Sequence, residues 1–112
     1  MDEEPPPPRV TVNLIREVVA AKAGVTVEEI ILRSRRQPVV ACRKIAMYLA
    51  ATMTNSPLPD ISKRLGSASS SHVMFYREWI AHRIAKEPAL RAKVEALKAE
   101  ILARAEKRRS AP

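Results

Sequence analysis

The chain is 112 residues long, enough for one domain around one core, and its two glycines exclude a glycine-rich phosphate loop, so an ATPase is not expected. Its formal charge is +8, and three acids stand among the first four residues, so residues 9 to 112 carry 20 Lys/Arg against 9 Asp/Glu, a net +11. An excess of that size on so small a body points to a polyanionic partner, with nucleic acid ahead of a membrane surface.

Met1 to Arg9 (MDEEPPPPR) is an acidic, proline-rich leader with no apolar area to bury, and it is expected to be extended and disordered. Acidic and proline-rich, it is not expected to act as a signal peptide, and no apolar run approaches the ~18 residues of a membrane span. The expected location is the cytoplasm, at the nucleoid. The folded domain is expected over residues 10–109, with 110–112 as a short tail. A first helix is predicted from Val12 to Ala23, with Leu14, Val18, Val19 and Ala21 or Lys22 at helical spacing and Gly24 as the C-cap. Thr26-Val27-Glu28-Glu29 is a Thr-x-x-Glu capping box that opens a shorter helix through Leu32, its carboxylates belonging to the first turn.

Arg33-Ser34-Arg35-Arg36-Gln37 forms a basic loop, and Pro38 is expected to start a long helix to about Thr54. Cys42, Ile45, Ala46, Leu49 and Met53 share one face of that helix, while Arg43 and Lys44 project from another, so loop and helix make a basic corner. Cys42 is the only cysteine, which excludes a disulfide framework and fits a reducing compartment; it reads as a buried small hydrophobe.

Pro57 to Leu65 reads as a short helix with prolines only in its first turn, ended by Gly66. Ser67-Ala68-Ser69-Ser70-Ser71 then offers N-cap hydroxyls before Val73, Tyr76, Ile80 and Ile84 recur at helical spacing. That is the outline of a helix-turn-helix, whose second helix presents its N-terminal residues to a major groove. After Pro88 a last helix is predicted from about Ala89 to Arg108. Its stripe of Leu90, Val94, Leu97 and Ile101 is expected to pack on the domain, since a dimerising coiled coil needs more heptads, and a monomer is expected. The basic end, Arg104 to Arg109, is placed to trail along phosphates.

Arg33, Arg35, Arg36, Arg43, Lys44, Lys63 and Arg64 can line one face around the helix-turn-helix as phosphate contacts, with Gln37 in the same loop. Ser69, Ser70, Ser71 and His72, at the start of the recognition helix, can each donate or accept at a groove edge. Phe75 and Trp79, one turn apart, lie off the apolar stripe. They pack against the long or the last helix, or else they form an exposed apolar patch for a protein partner or a thymine methyl. His72 and His82 have no partner at ligand spacing, so neither a metal nor another cofactor is expected. No nucleophile has a base and an orienting acid at suggestive positions, and no enzymatic activity is expected.

In this order the elements resemble the C-terminal DNA-binding domain of the bacterial replication initiator DnaA. The resemblance runs from about Ile15 to Ile80 and is carried by Val27 through Arg36, by Ala41-Cys42-Arg43-Lys44-Ile45-Ala46-Met47-Tyr48-Leu49-Ala50, and above all by Thr54-Asn55-Ser56-Pro57-Leu58-Pro59-Asp60-Ile61. It implies an all-α bundle with the helix-turn-helix in the major groove and the basic loop in the adjacent minor groove, plus a long C-terminal helix. By position it implies that Arg35 enters the minor groove, that Arg43 is a basic residue near the DNA backbone, and that the Ser71 hydroxyl takes the place of a threonine. Where the family's signature reads Gly-Gly-Arg-Asp-His-Thr-Thr-Val, this chain reads Gly66-Ser67-Ala68-Ser69-Ser70-Ser71-His72-Val73. The central Arg-Asp-His, which reads base edges, is gone, so specificity for the initiator's box is expected to relax while phosphate-driven affinity persists.

The initiator carries an ATPase domain upstream of this one, and here only a nine-residue leader precedes it, so a stand-alone module is expected. The expected function is binding of double-stranded DNA in the regulation of chromosome replication initiation. Two alternatives stand beside it. One is an interaction protein that binds a replication-control partner, such as the initiator's inactivating ATPase, through Phe75, Trp79 and the last helix. The other is a small transcription repressor, because a helix-turn-helix by itself is generic.

Overall fold

The computed structural model describes residues 9–110, so the leader up to Pro8 and residues 111–112 lie outside the described residues. Six helices follow one another: α1 (Val12–Ala23), α2 (Val27–Ile31), α3 (Gln37–Met53), α4 (Leu58–Arg64), α5 (Ser70–Lys86) and α6 (Pro88–Ser110). Among the described residues there is no strand, and the fold is all-α as expected.

Local chemistry sets most of the boundaries. Thr11 caps α1 by accepting from the Leu14 N–H at 3.1 Å. The capping box of α2 is complete: Thr26 Oγ1 accepts from Glu29 N–H, and Glu29 Oε1 accepts from Thr26 N–H, both at 3.1 Å. Three helices then end in one manner. In each, a residue at positive φ follows the last turn and two N–H groups fold back on its carbonyls, as Val25 and Gly24 do to Ala20 and Ala21. At the end of α4 the pair is Ser67 to Ser62 and Gly66 to Lys63; at the end of α2 it is Ser34 to Glu29 and Arg33 to Ile30. Gly24 and Gly66 both have φ of 71°, but the α2 terminus holds Arg33 at 61°.

α3 is the axis of the bundle: α5 and α1 pack along it, and α6 lies across α1 and α5. Leu14, Ile15, Val18 and Val19 of α1, Cys42, Ile45, Ala46 and Leu49 of α3, Ile61 of α4, and Val73 and Ile80 of α5 meet in one core. Val94, Leu97, Ile101 and Ala105 of α6 close it, and Arg108 reaches Glu17 on α1 at 2.7 Å, so the stripe packs on the domain as expected. Burial holds the Cys42 thiol protonated, its pKa pushed up to about 11.

Several expectations are corrected. Ala21 and Lys22 are exposed, because the buried arc of α1 turns through Ile15 and Ala20 instead. α2 ends at Ile31, with Leu32 as its C-cap. α3 starts at Gln37, since Arg36 is its N-cap and Pro38 sits in the first turn, where its missing N–H has no helical partner to lose. α6 starts at Pro88 rather than Ala89 and continues to Ser110, past the expected end at Arg108, and Arg104 in its basic end pairs with Glu100 at 2.8 Å.

Candidate nucleic-acid interface

The turn between α4 and α5 is built from inside. Ser62 Oγ donates to the Ser67 carbonyl at 3.0 Å in a buried contact, while Ser67 N–H returns to the Ser62 carbonyl at 2.8 Å. Ser69 caps α5, its Oγ accepting from Ser71 N–H at 3.2 Å and lying 2.7 Å from Ser71 Oγ. Ser67 Oγ lies 2.8 Å from His72 Nδ1, which ties the ring of this exposed residue to the turn at the start of α5. Ser70 is half-buried beside them.

Against this turn lies the basic loop. Gly66 approaches the end of α2 so closely that a Cβ there would collide with the Ile30 carbonyl oxygen. Arg43, on α3, clamps the junction: its guanidinium donates to the carbonyls of Ile30 at 2.8 Å, Leu65 at 2.9 Å and Ser34 at 3.3 Å. Three different segments, the end of α2, the loop and the end of α4, are thereby tied to one side chain. Burial pulls the Arg43 pKa below its ordinary value.

Arg33, Arg43, Lys44, His72 and Tyr76 line one open cleft of about 260 Å³ with Gly66, Ser67 and Ala68. Lys44 is held over two rings, its Nζ 5.2 Å from the centroid of Tyr76 and 4.8 Å from that of Trp79. Arg35 stands exposed in the loop, as does Gln37 at the first turn of α3. Arg36 is exposed but pairs with the capping-box carboxylate of Glu29 at 3.0 Å, so one acid both caps α2 and anchors the loop.

One expected member sits elsewhere. Arg64 turns onto α1, donating to Asn13 Oδ1 at 3.1 Å and pairing with Asp60 at 3.0 Å, in a groove with Thr11 and Ser56. Lys63 is exposed at the end of α4. The aromatic pair divides as well. Trp79 is half-buried on α3, its indole carrying Lys44 and Arg83 at 4.8 and 4.9 Å. Phe75 is 59% exposed.

The sequence reading missed Arg83 and Arg16. Arg83 stands one turn after Trp79, a spacing that could have revealed it; a bidentate bond to Glu87 at 2.7 and 3.0 Å holds it and keeps the Glu87 carboxyl below the usual carboxylate range. Arg16 donates to the Arg64 carbonyl at 2.7 Å, and no local pattern signals a partner 48 residues away.

A family model described as a bacterial dnaA protein helix-turn-helix matches residues 12–80, from the first residue of α1 into α5. The chain belongs to the bacterial DnaA helix-turn-helix family. Among its curated relatives, the chromosomal replication initiator protein DnaA of Streptococcus agalactiae serotype Ia is 39% identical over 97 residues, covering 84% of this chain and 21% of the relative. The proteins of the same name from Streptococcus equi subsp. zooepidemicus and Streptococcus pyogenes serotype M1 are 37% identical over the same length, with 84% and 22% covered. The chain therefore spans about a fifth of the length of these relatives. The DnaA match ends at Ile80, where α5 makes its last fully buried contact, and the cleft lies wholly inside it. Among the described residues, no helix is long and apolar enough to cross a membrane.

Proposed function

We propose that this chain binds duplex DNA through α4 and α5, with the first turn of α5 in the major groove and Arg35 of the α2–α3 loop in the adjacent minor groove, and that it acts in the control of chromosome replication initiation. The observation that carries the reading is the convergence of Arg33, Lys44 and His72 on one cleft at the start of α5. The name of the curated relatives, chromosomal replication initiator, supports the biological setting. Serine hydroxyls at the groove edge accept and donate alike, so sequence preference is weak and phosphate contacts dominate affinity.

Fluorescence anisotropy with a duplex bearing the initiator's box and a scrambled duplex, each at two salt concentrations, tests this. With about four phosphates neutralised, affinity should fall roughly a hundredfold across a fourfold rise in salt. Affinity indifferent to salt, or no binding to either duplex, overturns the reading and moves the weight to a protein partner such as a replication-control ATPase. A preference for the box that survives high salt shows that the serine-rich turn still reads bases and makes competition with the initiator the mechanism.

Arg33→Gly separates binding from folding within the same assay. Relief of the positive-φ strain and the added freedom of the unfolded chain each amount to about 1 kcal/mol and oppose one another, so the melting temperature should hardly move. The slope of log K on log salt should become shallower by about 0.9. An unchanged slope removes Arg33 from the interface.

A further inference from the structure

We infer that Phe75 is a specificity-determining residue of the recognition helix and that it reads the 5-methyl groups of pyrimidines in the major groove. The inference rests on the duplex-binding reading above.

Phe75 follows Ser71 by one turn, and the two share the face of α5 opposite the buried Val73 and Ile80. Exposed at 59%, its ring is set edge-on to Tyr76, with centroids 5.1 Å apart and planes at 85°. A ring held this way presents a rigid apolar surface and loses little freedom on binding.

Its surroundings select the partner. Tyr76 lines the basic cleft and carries Lys44 over its face, so Phe75 stands at the rim of a cluster of cations. An apolar protein groove docking here would strip water from Lys44 and Arg33 without compensating charge. A nucleic-acid duplex offers phosphates to those cations, and one apolar group in its major groove, the C5 methyl of thymine, to the ring.

The polar groups nearby point the same way. Ser69 and Ser71 are bonded to each other and to the start of α5, and His72 is held by Ser67. These bonds turn part of the donor and acceptor capacity inward, and Phe75 adds a large apolar surface to the same exposed face.

The test is anisotropy with the full chain and a short A·T-rich duplex, against the identical duplex with every thymine replaced by deoxyuridine. Removing a buried methyl should weaken binding by about fourfold per contact. The salt slope should not change, since Phe75 carries no charge. Phe75→Ala should bind both duplexes with the affinity the unaltered chain has for the deoxyuridine one. In a G·C duplex, 5-methylcytosine puts a methyl at the same groove position. It should strengthen binding by the unaltered chain and not by Phe75→Ala.

Equal affinity of the unaltered chain for thymine and deoxyuridine duplexes overturns the inference, and salt-dependent binding of both would leave the duplex reading intact. A deoxyuridine penalty that persists in Phe75→Ala also overturns it, because the methyl is then felt elsewhere. Absence of binding to every duplex sinks both together.

Discussion

Gly66→Ala should destabilise the fold by about 2–4 kcal/mol, because two effects coincide: a side chain at φ of 71° and a Cβ placed against backbone rather than against a yielding side chain. The obstacle is the carbonyl of Ile30, with the Ile31 oxygen also only 3.1 Å from the added Cβ. Neither can swing aside without moving the end of α2. Gly24→Ala is the internal control, since Gly24 has the same φ and nothing within 4 Å of a Cβ. It should lose only about 1 kcal/mol. Urea denaturation of both variants checks the difference, and equal losses would show that the close approach of α2 to the α4–α5 turn contributes nothing. Gly66→Ala protein that remains folded should also bind duplex DNA poorly, as the displaced α2 carries the basic loop with it, whereas Gly24→Ala should bind normally.

Arg43→Met should have the second large effect, a loss of about 2–3 kcal/mol, discounted because the guanidinium retains some solvent contact. Three carbonyls on three segments lose a charged donor at once, and methionine fills the stem without replacing any of them. Arg43→Lys should recover little, because a single ammonium cannot span the Ile30 and Leu65 oxygens in the way a planar fork does. Lys44→Met, one residue on, should show the opposite pattern: stability nearly unchanged and a salt slope shallower by about 0.9. Thermal unfolding and anisotropy on the same three proteins distinguish the roles. A stable Arg43→Met protein with a shallower slope would make Arg43 a phosphate contact, as the family resemblance implies, and not a clamp.

The contrast between these neighbours shows where sequence reading stops. Arg43 and Lys44 are both cations on the same side of an amphipathic helix, and nothing in their spacing distinguishes them. What does is the arrival of carbonyls from residues 30, 34 and 65 beneath the first, and of rings from residues 76 and 79 beneath the second. Arg64 teaches the same lesson, placed by sequence with the DNA face and by packing with Asn13 of α1. Phe75 and Trp79 stand one turn apart, yet the passage of α3 beside the second covers it and leaves the first in solvent.

What the amino-acid sequence determined by itself is local. The capping box at Thr26 and Glu29, the glycines after α1 and α4, the prolines confined to first turns, and the apolar stripes of α3, α5 and α6 each act over one or two helical turns, so the helices and their order are legible without the fold. The basic excess likewise needs no geometry. Only the tertiary structure decided which cations stand open in the cleft and which hold the molecule together, and that the α4–α5 turn needs glycine for the close approach of α2 as well as for its φ. The reason is that a guanidinium or an ammonium is directed by whatever polar atom or ring lies within about 3–6 Å of it. Here those partners come from chain segments brought together by burial of the core.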